Sequence, residues 1–598
     1  MADTKPREVM AGVTRRGFLK AGGALVVGLA VVPAALRGAG QVALAATSSS
    51  PAPTDPTQLA TWLAVQGDGT VIARCGHVEL GQGNRTALAQ IVAEELDVAF
   101  GKVQMVLGNT DETYDQGGTY GSTTIRGAGL ELRQIAAEGA AALRQLAAVN
   151  LGVPATQLQI KNGVVSGGGK QVSYASLVQG QVLTAIAPIT LTKGATGSIS
   201  AIKGSAKPKD PSQYAIIGKS IQRVDIPGKL TGAYTFVHDV KLPNMLHARI
   251  VHPTGVGSTV QAIGTFQNPI PGAQVVLIGN LVGVLAEREW DAIKGAQTLQ
   301  ISWSSWNKLP PSENIAEALR NLPSKDKVQL SRGDVATALA GAKRTLSATY
   351  VTPFENHGTL GPSCAVADWH ADGTVTVYSA TQYPQGLQGS LAQMLGVPPA
   401  QVTVERYEGP GMYGRMGETD DAASEAVLLS RQVGRPVRVQ WMRPDEHIWE
   451  PHSPGTVHDL KAALDDSGKI VAWSHEAWIP PTADGVELGG AFAGLPVSPK
   501  GLSVGSWTGP DLYNFANAYE LVHGLSELAV GETPYAFGLR TTFMRSPAQY
   551  QITYAQEAFV DEIAARAGVD SLEFRLAHLT DPRAIAVVKA AAAAAGWT

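Results

Sequence analysis

The sequence predicts a mixed α/β (α+β) protein of several domains, and three observations lead to this fold class. The chain has 598 residues, more than one hydrophobic core usually supports, and roughly 150 residues per domain argues for at least three. Hydrophobic residues make up 44% and charged residues 16%, with 66 Gly and 35 Pro, which is typical of a large globular protein with many turns. Patterns of β-hairpins also alternate with amphipathic helical patterns along the chain.

The first 45 residues have the pattern of a twin-arginine signal peptide. Arg15 and Arg16 precede an apolar run over residues 21–36, and Ala43-Leu44-Ala45 fits a small-residue cleavage site. Pro33 interrupts this run, which is shorter than the roughly 20 residues of a spanning helix. We therefore expect a periplasmic protein without a stable membrane span, with residues 46–57 as a linker; an uncleaved anchor is the alternative. The twin-arginine route carries folded proteins, so a cofactor inserted before export is expected.

A first segment, residues 58–204, begins with a strand, a helix and a glycine-rich loop. Residues 61–76 alternate around Gly67-Asp68-Gly69, which predicts a hairpin. A helix is predicted from about Asn84, a strand at residues 103–107, and a long Ala/Leu helix ending near Gly152. Between that strand and the long helix lies the loop Gly117-Gly118-Thr119-Tyr120-Gly121.

The same order recurs in residues 364–433. A hairpin at 364–379 turns at Asp372-Gly373, a helix and a strand at 402–406 follow, and Gly411-Met412-Tyr413-Gly414 matches Gly118-Thr119-Tyr120-Gly121. We interpret this as an internal repeat; two unrelated hairpin–helix–strand units are the alternative. An ungapped alignment pairs Gln82-Gly83 with Gln385-Gly386.

Linker, strand-rich and helical segments complete the predicted organisation. A linker at 205–217 precedes a strand-rich segment at 218–305, and residues 306–598 form the last segment. There we expect a strand at 437–442, a hairpin around 466–473 and a helix at 550–567. Residues 591–598 read as an Ala-rich helix without a capping signal, which suggests a cut chain.

Charge and cysteine content exclude some functions. The formal net charge is −4, so no basic surface for nucleic acid is indicated. Only Cys75 and Cys364 occur, too few for an iron–sulfur cluster and without a haem-attachment motif. Any electrons must therefore leave through a partner, and both cysteines are expected to be small buried side chains.

Two motifs suggest other enzyme classes and lack the expected context. Residues 409–414 fit GxGxxG after a strand, but the next strand, 437–441, carries no carboxylate for a ribose, which argues against NAD. Gly501-Leu502-Ser503-Val504-Gly505 fits the GxSxG of serine hydrolases, but Gly509-Pro510 soon follows, where a helix is required. The histidines show no metal-binding spacing.

Several motifs together resemble the molybdopterin-binding subunits of the xanthine dehydrogenase/molybdenum hydroxylase superfamily, in the branch that includes the β-chains of isoquinoline 1-oxidoreductases and the B-chains of nicotinate dehydrogenases. Residues 76–83 and 118–123 resemble a cofactor-binding stretch, and residues 217–240 the opening of the α/β hammerhead domain, placed at 218–305. The remaining motifs resemble the pterin-binding domain: Gly361-Pro362-Ser363-Cys364, Thr381-Gln382, residues 411–414 with Asp420-Asp421, Glu446-His447 and Trp449-Glu450-Pro451. The resemblance covers nearly all of residues 58–598.

This resemblance implies roles for particular residues. Gln82 and Gln382 would hydrogen-bond the pterin or the molybdenum ligands, and Gly83, Gly121, Ser122 and Thr123 would line the cofactor. The backbone of Gly411, Met412, Tyr413 and Gly414 would lie against the metal's oxo side, and Arg545 would face the substrate pocket. No residue is expected to bind a metal directly.

The resemblance also implies the reaction and the partners. Such proteins hydroxylate an aldehyde or an N-heteroaromatic substrate with oxygen from water, through a molybdenum–molybdopterin cofactor, here expected as the cytosine dinucleotide. Electrons would pass to a small [2Fe–2S] subunit and then to an acceptor such as cytochrome c.

The family's catalytic glutamate lies in a Gly-Glu motif near its C-terminus, so we expect it beyond Thr598. Gly531-Glu532-Thr533-Pro534 precedes Arg545 and cannot be that motif. A non-catalytic cofactor- or ligand-binding periplasmic protein is the alternative.

Overall fold

The computed structural model describes most of the chain. It covers residues 24–26, 43–45, 55–178, 182–184, 189–194, 197–416, 419–481, 486–497, 512–526, 528, 535, 538–547 and 549–597. The paired arginines and most of the apolar run of the predicted signal, the GxSxG motif at 501–505, the segment 531–534 and Thr598 lie outside the described residues.

Strands and helices alternate through the described residues. The strands are β1 (Ala24–Val26), β2 (Ala43–Ala45), β3 (Leu63–Gln66), β4 (Val71–Cys75), β5 (Val103–Leu107), β6 (Gln159–Lys161), β7 (Val164–Gly167), β8 (Lys170–Ser173), β9 (Val182–Thr184), β10 (Thr190–Lys193), β11 (Ile199–Lys203), β12 (Leu246–Ile250), β13 (Val260–Phe266), β14 (Gln274–Ile278), β15 (Leu281–Ala286), β16 (Leu299–Trp303), β17 (Ser324–Arg332), β18 (Arg344–Thr352), β19 (Cys364–Trp369), β20 (Val375–Ser379), β21 (Val402–Arg406), β22 (Val437–Gln440), β23 (Thr456–Leu464), β24 (Ile470–Ile479) and β25 (Ala518–Leu525). The α-helices are α1 (Asn84–Leu96), α2 (Gly129–Leu151), α3 (Tyr174–Val178), α4 (Ile226–Thr231), α5 (Glu289–Thr298), α6 (Ile315–Arg320), α7 (Val335–Gly341), α8 (Pro384–Leu395), α9 (Asp421–Val433), α10 (Arg443–Trp449), α11 (Leu488–Ala493), α12 (Gln549–Ala567), α13 (Ser571–His578) and α14 (Pro582–Ala595).

The chain divides into two compact units. Unit 1 contains residues 1–243, 364–411 and 434–436, and unit 2 contains residues 244–363, 412–433 and 437–598. Segments distant in sequence therefore fold together in each unit. The predicted domain boundaries at residues 204, 217 and 305 stay predictions.

Unit 1 contains two strand–helix–strand segments with the same pairing pattern. In the first, β3 and β4 form an antiparallel hairpin, α1 follows, and β5 pairs parallel with β4. In the second, β19 and β20 form an antiparallel hairpin, α8 follows, and β21 pairs parallel with β20. The shared topology supports the interpretation of an internal repeat.

The core of the first segment lies between its sheet and two helices. Helix α1 buries Leu88 and Val92, and α2 buries Leu132 and Ile135, all fully, against strands β3 to β5. These side chains recur three or four residues apart, so each helix presents one apolar face to the core. Both cysteines are buried, as expected, and neither forms a disulfide.

Unit 2 is built around two larger sheets. In one, β14, β15 and β12 are antiparallel neighbours, and β22 pairs parallel with β12. In the other, the strand order is β17-β25-β24-β23-β18, with only β24 and β25 parallel to each other. Helix α12 packs Phe559 and Ile563 against this second sheet, where they join a core that includes Trp473.

The mixed α/β, multidomain fold class is confirmed, and one expectation about its last helix is wrong. We expected an uncapped helix through residue 598. Helix α14 instead ends at Ala595, because Gly596 adopts a left-handed φ of 65° and the Trp597 N–H donates to the Ala592 carbonyl oxygen. A glycine just past the last helical turn is a common helix-ending signal. Within the described residues, none of the helices has the length and apolar character needed to cross a bilayer.

Candidate functional site

Thr119 joins three of the predicted cofactor motifs in unit 1. Its hydroxyl accepts a hydrogen bond from the Val78 N–H at 2.9 Å. Its own N–H donates to the Gln382 carbonyl oxygen at 2.9 Å, and its carbonyl oxygen accepts from Gln382 Nε2 at 3.2 Å. The glycine-rich loop, the 76–83 motif and Gln382 are therefore held together through one buried residue, by its hydroxyl and its backbone.

The side chain of Gln382 lies against the loop, and only the nitrogen of its carboxamide forms a hydrogen bond there. The side chain is 4% exposed, and its Oε1 has no hydrogen-bond donor among the described residues. A buried acceptor without a donor costs free energy, so such an atom is normally satisfied by a bound group. Gln382 is therefore suited to accept an N–H from a ligand at this loop.

Helix starts decide which glutamine corresponds to Gln82. Gly83 is the N-cap of α1, and Tyr383 is the N-cap of α8. Gln82 and Gln382 thus both stand one residue before a helix N-cap, whereas Gln385 lies inside α8 and donates to Thr113. The ungapped alignment misplaces the helices by three residues because the loop before α1 is longer than the loop before α8.

Gln82 and Gly83 lie on a loop that Glu79 organises. The Glu79 carboxylate accepts hydrogen bonds from the backbone N–H groups of Gly81, Gly83 and Arg85, each at 2.8 Å. Gln82 is exposed, and its Oε1 accepts from the Leu80 N–H at 2.5 Å. The Gln82 carboxamide is thus turned towards its own loop, and its predicted role at the pterin stays a prediction.

Gly121, Ser122 and Thr123 form an exposed stretch that begins two residues after Thr119. Gly121 and Ser122 both have left-handed backbone angles, with φ of 61° and 60°. All three residues are exposed, and a π-helix (Thr124–Ala128) follows before α2 begins. π-Helical turns are rare in proteins, and those that occur are often found at functional sites. This segment is therefore a good candidate for ligand contact.

A cluster of buried polar side chains forms hydrogen bonds with residues on both sides of the glycine-rich loop 117–121. His77 hydrogen-bonds the Thr124 hydroxyl through Nδ1 and the Gln116 carbonyl through Nε2. Gln116 Oε1 accepts the Gly76 N–H, and its Nε2 donates to Glu131. Burial lowers the pKa of His77, although the Gln116 carbonyl opposes this, and burial raises the pKa of Glu131. The imidazole is therefore neutral at neutral pH.

The 411–414 loop in the second segment adopts its own backbone conformation. Gly411, Tyr413 and Gly414 have φ values of 99°, 59° and 107°. In the first segment, of the matching residues only Gly121 has a positive φ. The two loops thus share a sequence pattern without sharing a backbone shape.

In unit 2, Arg545 lies over this loop. The backbone N–H of Arg545 donates to the Tyr413 carbonyl oxygen at 3.0 Å. The guanidinium carbon of Arg545 lies 4.2 Å from the centre of the Tyr413 ring. Arg545 Nη2 donates to the His357 carbonyl oxygen at 2.9 Å. Arg545 and Tyr413 are both exposed while Met412 is 6% exposed, so the first two are available to a ligand.

A buried ionic cluster holds the residue that follows the loop. Arg415 Nε donates to Glu450 Oε2 at 3.0 Å, and the His357 N–H donates to Glu450 Oε1 at 2.5 Å. Burial opposes ionisation of Glu450, but the His357 hydrogen bond and the Arg415 charge outweigh it and lower the Glu450 pKa. Glu450 is therefore a carboxylate that anchors the loop.

Sequence reasoning missed several residues of these two clusters. In the sequence Thr119 stands only as part of a loop, and Glu79, Arg415 and His357 carry no predicted structural role. The available signal is that Thr119 and Arg415 each directly follow a motif glycine. Their partners are far away in sequence, which local patterns do not reveal. In the described residues, no group of three or more metal-ligating side chains is found.

Two family models match the chain, and both describe a molybdopterin cofactor-binding domain. One matches residues 30–267 and the other residues 319–488. The matched ranges include Gln82, residues 121–123, Gln382 and residues 411–414.

Relatives with assigned activities match over most of the chain. The B-chain of nicotinate dehydrogenase from Pseudomonas putida is 38% identical over 90% of this chain, which spans 44% of that relative's length. The β-chain of isoquinoline 1-oxidoreductase from Brevundimonas diminuta is 30% identical over 98% of this chain and 78% of its own length.

A solved structure agrees in fold. The Cu,Mo-CO dehydrogenase in its carbon monoxide reduced state aligns with a TM-score of 0.51 and 17% identity, over 64% of this chain and 55% of that chain. This likeness shows a shared fold, and the family follows from the two family models and the relatives. The chain belongs to the xanthine dehydrogenase family, among its molybdopterin-binding subunits.

Proposed function

We propose that the chain is the molybdenum cofactor-binding catalytic subunit of an oxidoreductase that hydroxylates an aldehyde or an N-heteroaromatic substrate with oxygen from water. The relatives support this range of substrates, since their names include nicotinate, isoquinoline and aldehyde oxidoreductases. Electrons would pass to a small [2Fe–2S] subunit and on to an acceptor such as a cytochrome c.

The observation that carries the proposal is the unsatisfied carboxamide oxygen of Gln382 beside an exposed loop. A pterin presents N–H donors and a carbonyl acceptor at its edge, so amide and hydroxyl side chains fit it. Gln382 supplies the acceptor, and Ser122 and Thr123 supply exposed hydroxyls. The residues present therefore fit a molybdopterin.

The other predicted residues have complementary roles in this proposal. When bound, the cofactor supplies the two-electron oxidation of the substrate carbon. In unit 1, Gln82 would hydrogen-bond the pterin or the molybdenum ligands, and Gly83 and Gly121 would let the backbone approach the cofactor closely. The backbone of residues 411–414 would lie against the metal's oxo side.

Arg545 is the proposed substrate-binding residue. Its guanidinium lies over the Tyr413 ring and carries a charge that is held at the exposed edge of the loop. A guanidinium can donate several hydrogen bonds in one plane, so Arg545 can orient the oxygen of an aldehyde or an acidic group of a heteroaromatic substrate.

We also propose the cytosine dinucleotide form of the cofactor, export by the twin-arginine pathway and a hammerhead domain at residues 218–305. Arg15 and Arg16 support the export route, which ends in the periplasm. Conservative Arg15→Lys and Arg16→Lys changes together are expected to leave the protein in the cytoplasm, as measured by fractionation.

Metal and nucleotide analysis tests the central proposal. The chain, co-expressed with its iron–sulfur partner, should contain molybdenum close to one atom per chain and release cytidine monophosphate on acid hydrolysis. Gln382→Ala should lower the molybdenum content, while Gln388→Ala, which loses a bond to the Val402 carbonyl, should not. Absence of molybdenum from the unaltered protein would refute the function, and loss in Gln385→Ala but not in Gln382→Ala would refute the residue assignment.

A further inference from the structure

A polar cavity of about 190 Å³ lies in unit 1 at the carboxyl ends of strands β5 and β21. Strand β5 pairs in parallel with β4, and β21 pairs in parallel with β20. Leu107 ends β5 and Arg406 ends β21, and both line the cavity together with Arg85 and Tyr234. Ligands in sheets with parallel strands are usually bound outside the carboxyl ends of the strands. The volume exceeds the roughly 30 Å³ of one water molecule, so it admits a group of several atoms.

Two guanidinium groups on the cavity wall, those of Arg85 and Arg406, form no direct ion pair among the described residues. Arg85 Nη1 donates to the Met105 carbonyl oxygen at 2.6 Å, and Arg406 Nε donates to the Thr381 carbonyl oxygen at 3.4 Å. Among the described residues, neither guanidinium forms an ion pair with a carboxylate, and Arg406 Nη2 is buried without an acceptor. A buried cation in this condition is costly unless an anion joins it.

The two carboxylates of the cavity are already engaged elsewhere. Glu79 accepts three backbone N–H groups of its own loop. Glu408 accepts from Lys229 Nζ at 2.6 Å and from the Tyr234 hydroxyl. The charges of Glu408 and Glu79 still act on Arg406 through space and oppose the lowering of its pKa by burial, but among the described residues neither carboxylate forms an ion pair with either arginine.

A charge count of the cavity and its ion-pair network leaves a positive excess. Lys229 also bonds Asp225 at 2.7 Å, and Asp225 is in turn held by Arg223. Four cations, with Arg85 and Arg406 included, thus face three carboxylates. Burial lowers the pKa of Arg406 to about 10, which still leaves it charged at neutral pH.

We propose that this cavity binds a phosphate-type oxyanion between Arg85 and Arg406. Planar guanidinium groups bind such oxygens through paired, charge-assisted hydrogen bonds. The group could be the phosphate of a bound cofactor or free inorganic phosphate, which present the same chemistry. The inference does not rest on the proposed function, because the charge excess exists without any cofactor.

Titration with inorganic phosphate tests the site. The full chain, purified from a host unable to make molybdopterin, is titrated by calorimetry at constant ionic strength, with chloride as the reference anion. Saturable phosphate binding is expected, and Arg85→Gln should weaken it at least tenfold. Arg288→Gln, which alters a guanidinium that is 78% exposed in unit 2, should leave it unchanged.

Because Arg406 Nη2 is buried, loss of binding in an Arg406 variant has to be distinguished from loss of folding. Arg406→Gln should also weaken binding at least tenfold, and Arg406→Lys, which keeps the charge, should weaken it less. The melting temperature of each variant shows whether it has folded. Unchanged binding in Arg85→Gln, or no saturable binding in the unaltered chain, would overturn the proposal.

Cofactor-loaded protein separates the two sources of the phosphate. If loading abolishes the titration, the oxyanion is the cofactor's own phosphate, and if binding persists, it is free phosphate; both outcomes support an oxyanion site. The titration of the unloaded chain needs no molybdenum. A failure of the proposed function would therefore leave this result intact.

Discussion

Gly414 occupies a position that accepts only glycine. Its φ is 107°, and an added Cβ would lie 2.3 Å from the Phe543 carbonyl oxygen. A left-handed backbone costs other residues roughly 1–2 kcal/mol, and a backbone clash adds to this. We expect Gly414→Ala to lower the free energy of unfolding by about 2–4 kcal/mol and to reduce bound molybdenum, as measured by thermal melting and metal analysis.

Gly494→Ala is the matched control for this change. Gly494 also lies in unit 2 with a positive φ of 73°, but an added Cβ would meet nothing within 4 Å. Gly494→Ala should show the cost of the left-handed backbone alone, roughly 1–2 kcal/mol. Equal shifts in melting temperature for the two variants would contradict the proposed clash with Phe543.

A buried histidine pair makes unit 2 sensitive to acid. His458 Nδ1 and His475 Nε2 lie 3.0 Å apart. Burial lowers the pKa of His475 to about 4, and lowers the pKa of His458 well below its usual value. The unfolded chain, with an ordinary histidine pKa near 6.5, therefore binds more protons at mildly acidic pH. The stabilising contribution is complete above about pH 6.5 and is lost as the pH falls towards 4.

The melting temperature should accordingly fall between pH 7 and pH 5, and His475→Gln should make this fall smaller. His252 does not interfere in that range. Burial opposes its protonation, but Asp445 and Glu425 outweigh burial and raise the His252 pKa to about 9, so its contribution is lost only as the pH rises through that value. An unchanged pH dependence in His475→Gln would show that the pair is not the origin.

At the scale of single elements, the sequence was a good guide where structure depends on neighbours along the chain. Helix α1 begins at Asn84 and β5 spans Val103–Leu107, as predicted from periodicity. The register between the two repeat segments was wrong, because loop lengths differ and periodicity carries no information about them. The cap at Gly596 was missed although a glycine there is itself a signal.

Helix α12 illustrates how one predicted element stabilises a sheet. Phe559 is fully buried, and its ring centre lies 5.5 Å from that of Trp473 on β24. Truncating a buried phenylalanine usually costs about 3–5 kcal/mol, so Phe559→Ala should cause a large fall in melting temperature. Val587→Ala on α14, where the side chain is 68% exposed, should change it little. Similar effects of the two changes would contradict this account of the core.

At the scale of the whole molecule, the site was predictable as a set of motifs but not as an arrangement. Gln382 and Thr119 are 263 residues apart in the chain, and the sequence placed both in cofactor motifs through resemblance alone. Their mutual hydrogen bonds depend on how distant segments fold together in unit 1. For the same reason, the Arg415–Glu450–His357 cluster could not be derived from local patterns.

Cysteine content gives a prediction for the isolated chain. A [2Fe–2S] cluster needs four protein ligands, usually thiolates, and this sequence contains two cysteines. Both are buried, and burial raises the pKa of Cys75 to about 12, which keeps it a thiol. The purified chain should therefore carry molybdenum with iron only at background, and it should not reduce cytochrome c when substrate is added.

The complex with a small iron–sulfur subunit is the control, and it should contain iron and reduce cytochrome c with the same substrate. Metal analysis and acceptor reduction, measured on the same preparations, compare the two forms directly. Under the proposed function the electrons leave through the clusters of the partner, so molybdenum content should be similar in both forms while turnover differs. Stoichiometric iron in the isolated chain, or equal turnover without the partner, would contradict the requirement for a partner.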